Sequence, residues 1–326
     1  MSFNENTRVK IPAILHLCRL GYTYLPLSQA KWDERTNIFM EIFSDSIKSI
    51  NKPQKLKESD IKRLLEDVSL ALDNEDLGEV FYGMLTNSSG IKLIDFNDFS
   101  KNNFHVVTEL TYKNGDDEFR PDITLLINGL PLAFIEVKKP NNQEGILAER
   151  DRINVRFKNK KFRKFINLSQ ILVFSNNMEY DQESVEPIQG AFYSPTSYAE
   201  ASFNCFREEE TLDLAKLLKS EDDTLENVVL KDNNLSAIKH SPEFITNKNT
   251  NSPTNRILTS LFCKERFAML LKYCIAYVQE TKGIEKHIMR YPQFFATKAI
   301  EGKIEKGIKK GIIWHTQGSG KIEFPR

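Results

Sequence analysis

Cysteine is scarce in this chain of 326 residues, and the four that occur (Cys18, Cys205, Cys263, Cys274) form no C-x-x-C pair. That excludes a zinc ribbon and argues for reduced thiols in a cytoplasmic setting rather than a disulfide framework. Long apolar runs are missing too: none approaches the roughly 18 residues that a membrane-spanning helix needs. The opening, MSFNENTRVK, is polar and lacks the apolar core of a signal peptide. An excess of either charge is also absent, with 45 Lys and Arg against 45 Asp and Glu. The chain as a whole therefore gives no electrostatic sign of a nucleic-acid partner, and any such sign must be local. What remains is ordinary for a soluble globular protein long enough for two domains: 40% hydrophobic and 28% charged residues.

The informative stretch is RPDITLLINGLPLAFIEVKKP, Arg120 to Pro140. Ile123 to Ile127 favours a strand, Asn128-Gly129 is a strong turn signal, and Leu132 to Val137 is a second strand. Both faces of that second run are apolar, which predicts a buried central strand. Charge appears only at its end. Glu136 and Lys138 lie two residues apart and so point to one face. A three-residue loop, Asn128 to Leu130, would set Asp122 directly opposite Glu136; a two-residue loop would miss by one. Either way two carboxylates and an ammonium meet at the open end of an apolar hairpin, where unpaired burial would cost several kcal/mol. Two acids can share Mg²⁺, which usually takes one or two carboxylates and keeps several waters. Lys138 would then orient or help deprotonate an attacking water and stabilise charge on a phosphate. The pattern points to phosphodiester hydrolysis, against the blander reading of a surface ion pair at a hairpin end.

Around this hairpin the chain reads as α/β. Amphipathic patterns predict a helix within Asn4–Leu25, broken by Gly21, and helices over Arg35–Ser49 and Asp60–Leu72. Glu5, in or before the first turn of the first helix, is either helix-end electrostatics or a third carboxylate at the metal site. Phe104–Tyr112 reads as a strand and carries Glu109, a second candidate acid. After Lys138 a helix is expected over Gln143–Asn159. From Arg150 to Lys164 eight bases stand against Asp151 alone: Arg150, Arg152, Arg156, Lys158, Lys160, Lys161, Arg163 and Lys164, with Phe157, Phe162 and Phe165 between them. Following directly on the candidate metal site, this run predicts a surface for the phosphate backbone of double-stranded DNA. Gln170–Ser175 is an apolar strand, Ala191–Phe206 strand and loop, and Glu208–Leu218 a helix. Asn255–Glu280 reads as a helix, and another follows the break at Pro292. The expected division is residues 1–230 as a nuclease domain, 231–255 as a linker rich in Asn, Ser and Pro, and 256–326 as a second domain.

Near the end, a short strand over Gly311–Trp314 runs into His315-Thr316-Gln317-Gly318-Ser319-Gly320-Lys321. Strand, glycine-rich turn and lysine are the layout of a phosphate loop. Gly318, Ser319, Gly320 and Lys321 fit it. Ile322 stands where a Mg²⁺-binding Ser or Thr is usual. The expectation is a motor domain cut at its first motif, without appreciable ATPase activity, and with IEFPR as a foreign remnant.

In these stretches the chain resembles the N-terminal part of the restriction (R) subunit of type I restriction–modification enzymes. FNENTRVKIPAILHLCRLGY resembles the family's opening segment. RPDITLLINGLPLAFIEVKKP resembles its PD-(D/E)xK nuclease motif, QILVFSNNMEY the strand after the nuclease helix, and GIIWHTQGSGK the first ATPase motif. The resemblance implies a restriction-endonuclease-like mixed sheet flanked by helices, followed by the start of a superfamily-2, RecA-like motor. It implies catalytic roles for Asp122, Glu136 and Lys138, with Mg²⁺ on Asp122 and Glu136, and adenine contact by Gln293 in RYPQ. It also implies ATP-driven translocation and assembly with methylation and specificity subunits. Many members carry a Gln-x-x-x-Tyr pair on the helix after the lysine. Arg152 and Arg156 occupy that place here, as replacement phosphate contacts or as the mark of a subgroup. The alternative function is a nuclease-like module that holds DNA or partner subunits without cutting.

Overall fold

A computed structural model describes residues 5–140, 145–180, 190–198, 201–281 and 283–312. The strands, in chain order, are β1 (Thr23–Tyr24), β2 (Phe104–Thr108), β3 (Tyr112–Asn114), β4 (Asp117–Phe119), β5 (Ile123–Ile127), β6 (Leu130–Val137), β7 (Ile171–Ser175), β8 (Ala191–Pro195), β9 (Asn204–Cys205), β10 (Ile275–Glu280) and β11 (Gly283–Ile288). Seven of them form one mixed sheet in the order β1-β2-β5-β6-β7-β8-β9. The β1–β2 and β6–β7 pairs are parallel, and the others are antiparallel. β6 is central and buried along its whole length, as its two apolar faces predict.

Helices cover both faces. They are α1 (Ile11–Arg19), α2 (Met40–Ile50), α3 (Glu58–Ala71), α4 (Glu79–Thr86), α5 (Gly145–Lys158), α6 (Arg163–Leu168), α7 (Leu214–Leu217), α8 (Asp223–Asp232), α9 (Pro242–Asn247), α10 (Pro253–Phe262), α11 (Lys264–Tyr273) and α12 (Tyr291–Glu305). The main core joins α1, β5, β6, α10 and α11 through Ile14, Leu17, Ile123, Ile135, Leu258 and Phe267. A second cluster on the other face packs Phe134 against Phe157, Phe162 and Phe165. The phenylalanines interleaved in the basic run are thus core residues and do not reach out toward a base.

Several local expectations need correction. The helix expected over Asn255–Glu280 is two helices, α10 and α11, parted at Cys263, followed by a β10–β11 hairpin. The β-rich end, Ile275 to Val278, pairs with Glu285–Ile288 rather than extending α11. Only the four residues of α7 are helical within Glu208–Leu218. Residues 231–255, read as a linker, hold α9 and parts of α8 and α10, and Phe244 is buried in the same core as Ile14. Gly311 and Ile312 carry no strand, and the rest of that expected strand lies outside the described residues. No helix among the described residues is long and apolar enough to cross a membrane.

Candidate active site

The hairpin of β5 and β6 sets the site's register. Asn128 and Gly129 both have positive φ, +52° and +80°, the signature of a two-residue type I′ turn. Asn128 tolerates this because its buried amide is fully engaged, donating to Leu93 O and Asn102 Oδ1 and accepting from Asn103 N. A two-residue loop closing Ile127 on Leu130 would misalign the acids by one. A bulge between Leu125 and Leu126 corrects it: Ile127 faces Leu130 and Leu126 faces Pro131, but Leu125 faces Ala133 and Ile123 faces Ile135. The extra residue, Leu132, shifts the ladder so that its next step sets Asp122 across from Glu136. The sequence alternatives were a loop of two or of three residues; the structure has the shorter loop and recovers the register farther along.

Asp122 Oδ2 accepts a hydrogen bond from Val137 N at 3.0 Å and lies 3.9 Å from Lys138 Nζ. Glu136 is 4% exposed, and its Oε1 has no hydrogen-bond partner. Burial raises its pKa well above the ordinary value, and the neighbouring Asp122 and Glu149 raise it further, against Lys138 and Arg156. Lys138 is pinned by its own backbone, its N donating to Ser175 O at 2.9 Å, and its Nζ donates to Val137 O at 3.0 Å. Burial alone would lower its pKa; Glu149, Asp122, Glu5 and Glu136 outweigh this and raise it. These acids favour the charged form of Lys138, which suits it to stabilise negative charge.

No motif marks Glu149 in the sequence. It is buried on α5, with Oε2 at 3.8 Å from Lys138 Nζ and 3.2 Å from an Arg152 guanidinium nitrogen, and Oε1 at 3.8 Å from Arg156. A signal does exist in the helix itself. Ile153 and Phe157, four and eight residues on, form the buried stripe of α5 and place Glu149 on it. An acid on the apolar face of a basic helix needs partners, and Lys138 and the two arginines are those partners.

Glu5 immediately precedes a π-helical turn, Asn6–Lys10. Its pKa is raised, chiefly by burial and also by Asp122, while Lys138 and the backbone N–H of Lys139 pull the other way. The fold thus brings Glu5 beside Lys138. Among the described residues no three His, Cys, Asp or Glu side chains are grouped to hold a metal ion. Glu5 is therefore not gathered with Asp122 and Glu136 into a three-ligand set. The pair Asp122 and Glu136 could hold a divalent cation with water completing the shell. The orphaned, buried oxygen of Glu136 fits such a role, because a buried polar atom without a partner is otherwise costly. Glu109 pairs with Lys10, Nζ to Oε1 at 2.5 Å, and with Arg120 at 3.6 Å.

The basic run is mostly paired. Arg152 and Arg156 face Glu149, and the Arg156 guanidinium also lies 4.5 Å from the Phe119 ring centroid. Arg150 pairs with Asp151, Lys161 with Asp117, Lys160 and Arg163 with Glu75, and Lys164 with Asp73. Lys158 and Lys160 are exposed. Gln293 is buried in the first turn of α12, where its Oε1 accepts from Arg290 N at 2.9 Å. Gly318, Ser319, Gly320 and Lys321 lie outside the described residues.

Residues 2–181 match the family described as the N terminus of the type I restriction enzyme R protein. Over 98% of its length the chain is 28% identical to the putative type I restriction enzyme MjaIXP endonuclease subunit of Methanocaldococcus jannaschii. It is 23% identical over 98% of its length to the type I restriction enzyme HindI endonuclease subunit of Haemophilus influenzae. The chain spans only 30% and 29% of the length of these two relatives.

Proposed function

The chain belongs to the family of type I restriction enzyme R protein N termini, and from that premise we propose that it is the metal-dependent DNA-cleaving part of such a subunit. The observation that carries the reading is Glu136: a carboxylate buried at the end of a central strand, across the ladder from Asp122, with one oxygen left unpartnered and Lys138 beside it. Mg²⁺ held there would supply a Lewis acid for the scissile phosphate and a water of lowered pKa. The protein's own part is positional and electrostatic. Val137 N–H fixes the Asp122 carboxylate, which leaves that group preorganised at no cost during reaction. Lys138, kept charged by four acids, presents an ammonium to the negative charge that grows on the phosphate. Arg152 and Arg156, with Arg150, Lys158, Lys160 and Lys161, would meet the DNA backbone beside it.

In the full-length protein this nuclease would be followed by a motor that translocates double-stranded DNA at the expense of ATP. Gln293 and Gly318 to Lys321 would contact the nucleotide, and methylation and specificity subunits would complete the enzyme. The support is the likeness of RYPQ and GIIWHTQGSGK to motor motifs.

The test is a restriction assay and an ATPase assay on the same assembled enzyme. Lys138→Ala and Lys138→Arg should abolish cleavage of plasmid DNA while ATP hydrolysis persists. Arg keeps the charge but is planar and larger, so it does not fit the place of a compact ammonium. Cleavage retained in both variants would refute the role of Lys138. An unaltered enzyme that binds DNA without cutting it in Mg²⁺ would favour the binding-module reading.

A further inference from the structure

Asp122 has two oxygens, and they face different cations. Oδ2 lies on the side of Val137 and Lys138; Oδ1 lies 4.0 Å from Lys10 Nζ. Lys10 closes the π-helical turn Asn6–Lys10 and is only 2% exposed. A charge so deeply buried is costly unless it is paired. Its first partner is Glu109, with Nζ to Oε1 at 2.5 Å. Glu109 is tied to Asp122 through the backbone as well, its N–H donating to Asp122 O at 3.2 Å. It holds φ at +54°, a left-handed conformation that is strained for a residue with a side chain. Strain of this kind and isolated π-turns both gather at functional sites.

The arrangement has two lobes that share Asp122. One is Asp122 with Glu136. The other is Asp122 with Glu109, two acids that would by themselves suit a second divalent cation. Resting on the nuclease reading above, we infer that Lys10 stands in for that second metal ion, so that the site works with one divalent cation and a resident ammonium. A two-metal site needs two ions about 3.5–4 Å apart that clamp the attacking and leaving oxygens. Here the Glu109 lobe is filled by a charge that the chain itself supplies, and it cannot be lost to chelation.

The inference is tested by Mn²⁺ stoichiometry on this chain, read by calorimetric titration and by electron paramagnetic resonance. The unaltered chain should bind one Mn²⁺, lost in Asp122→Ala, with the spectrum of an isolated ion. Lys10→Met should bind two, with the broadened spectrum of coupled neighbours, and adding Glu109→Gln should return it to one. Lys10→Gln, which keeps a hydrogen bond to Glu109, replaces Lys10→Met if thermal melting shows the latter unfolded. Two ions in the unaltered chain, or one ion in both folded Lys10 variants, would overturn the assignment and leave the nuclease reading standing. No Mn²⁺ at all, or binding that survives Asp122→Ala, would overturn the nuclease reading and this assignment with it.

Discussion

Glu136→Gln should make the metal-free protein more stable while destroying cleavage. Glu136 is 4% exposed, one of its oxygens has no hydrogen-bond partner, and two further acids help to raise its pKa above 4.5. A carboxyl whose folded pKa is raised favours the protonated form, so its ionisation works against the fold. Below about pH 4, where folded and unfolded chains both carry the proton, the penalty is absent. It grows as pH rises above 4.5 and is complete above the folded pKa, with each tenfold gain in proton affinity on folding worth about 1.4 kcal/mol. Lys138 and Arg156 offset part of it. The remainder should resemble the cost of one unsatisfied buried group, about 1–3 kcal/mol. Gln is nearly isosteric and removes the charge. Urea denaturation in EDTA should therefore show Glu136→Gln stabilised by about 1–3 kcal/mol at pH 8 and by almost nothing near pH 4. Adding Mn²⁺ should stabilise only the unaltered protein, by mass action on the folded state. A variant less stable than the parent at pH 8 without metal would refute the reasoning, because the carboxylate would then be a structural partner.

Lys286 offers the same logic with the opposite sign of charge. It is fully buried on β11, with Nζ 3.1 Å from Thr196 Oγ1, and burial lowers its pKa to about 7. Its penalty is complete below about pH 7 and fades as pH rises toward 10.5, so Lys286→Met should stabilise by roughly 2–5 kcal/mol at pH 6 and by little at pH 10.5, as urea titration would show; an equal gain at both would contradict it. Gly129→Ala should destabilise by more than about 1 kcal/mol. An added Cβ would meet Phe39 O at 2.7 Å and Phe43 N at 2.8 Å at a φ of +80°, and an unchanged melting curve would count against this packing. Glu149→Gln should weaken the hold on Lys138, Arg152 and Arg156 and slow cleavage more than DNA binding, judged by comparing nicking rates with gel-shift affinities; equal losses in both would point to a folding defect.

Much of the central sheet was legible because local signals agreed. Asn128-Gly129, flanked by two β-favouring runs, fixed a hairpin, and the apolar faces of β6 fixed its burial. The bulge at Leu132 has one marker, Pro131 just before it, which has no N–H to give the ladder; proline inside a sheet is confined to edges, strand starts and bulges, and the apolar pattern alone does not choose among these. The β10–β11 hairpin was hidden because the residues before it share the apolar spacing of α11, and Thr281-Lys282-Gly283 is a weaker turn signal than Asn-Gly. Residues 231–255 misled by composition. Their Asn, Ser and Pro act as helix caps: Ser241 accepts from Phe244 N, and Pro242 and Pro253 open α9 and α10.

The site's charges show why its chemistry was only half visible in a linear motif. Pro-Asp and Glu-x-Lys name three groups, and those three already leave one net negative charge. The fold adds Glu5, Glu109 and Glu149, and answers them with Lys10, Arg120, Arg152 and Arg156. These come from the N-terminal turn, from the turn after β2, from the loop before β5 and from α5, so no spacing along the chain announces them. The answer is uneven. Glu109 and Glu149 each face two or more cations, and Asp122 faces two lysines. Among these acids Glu136 alone keeps a buried oxygen without a donor. That oxygen is where a cation would gain most, since it would relieve repulsion from Asp122 and Glu149 at the same time.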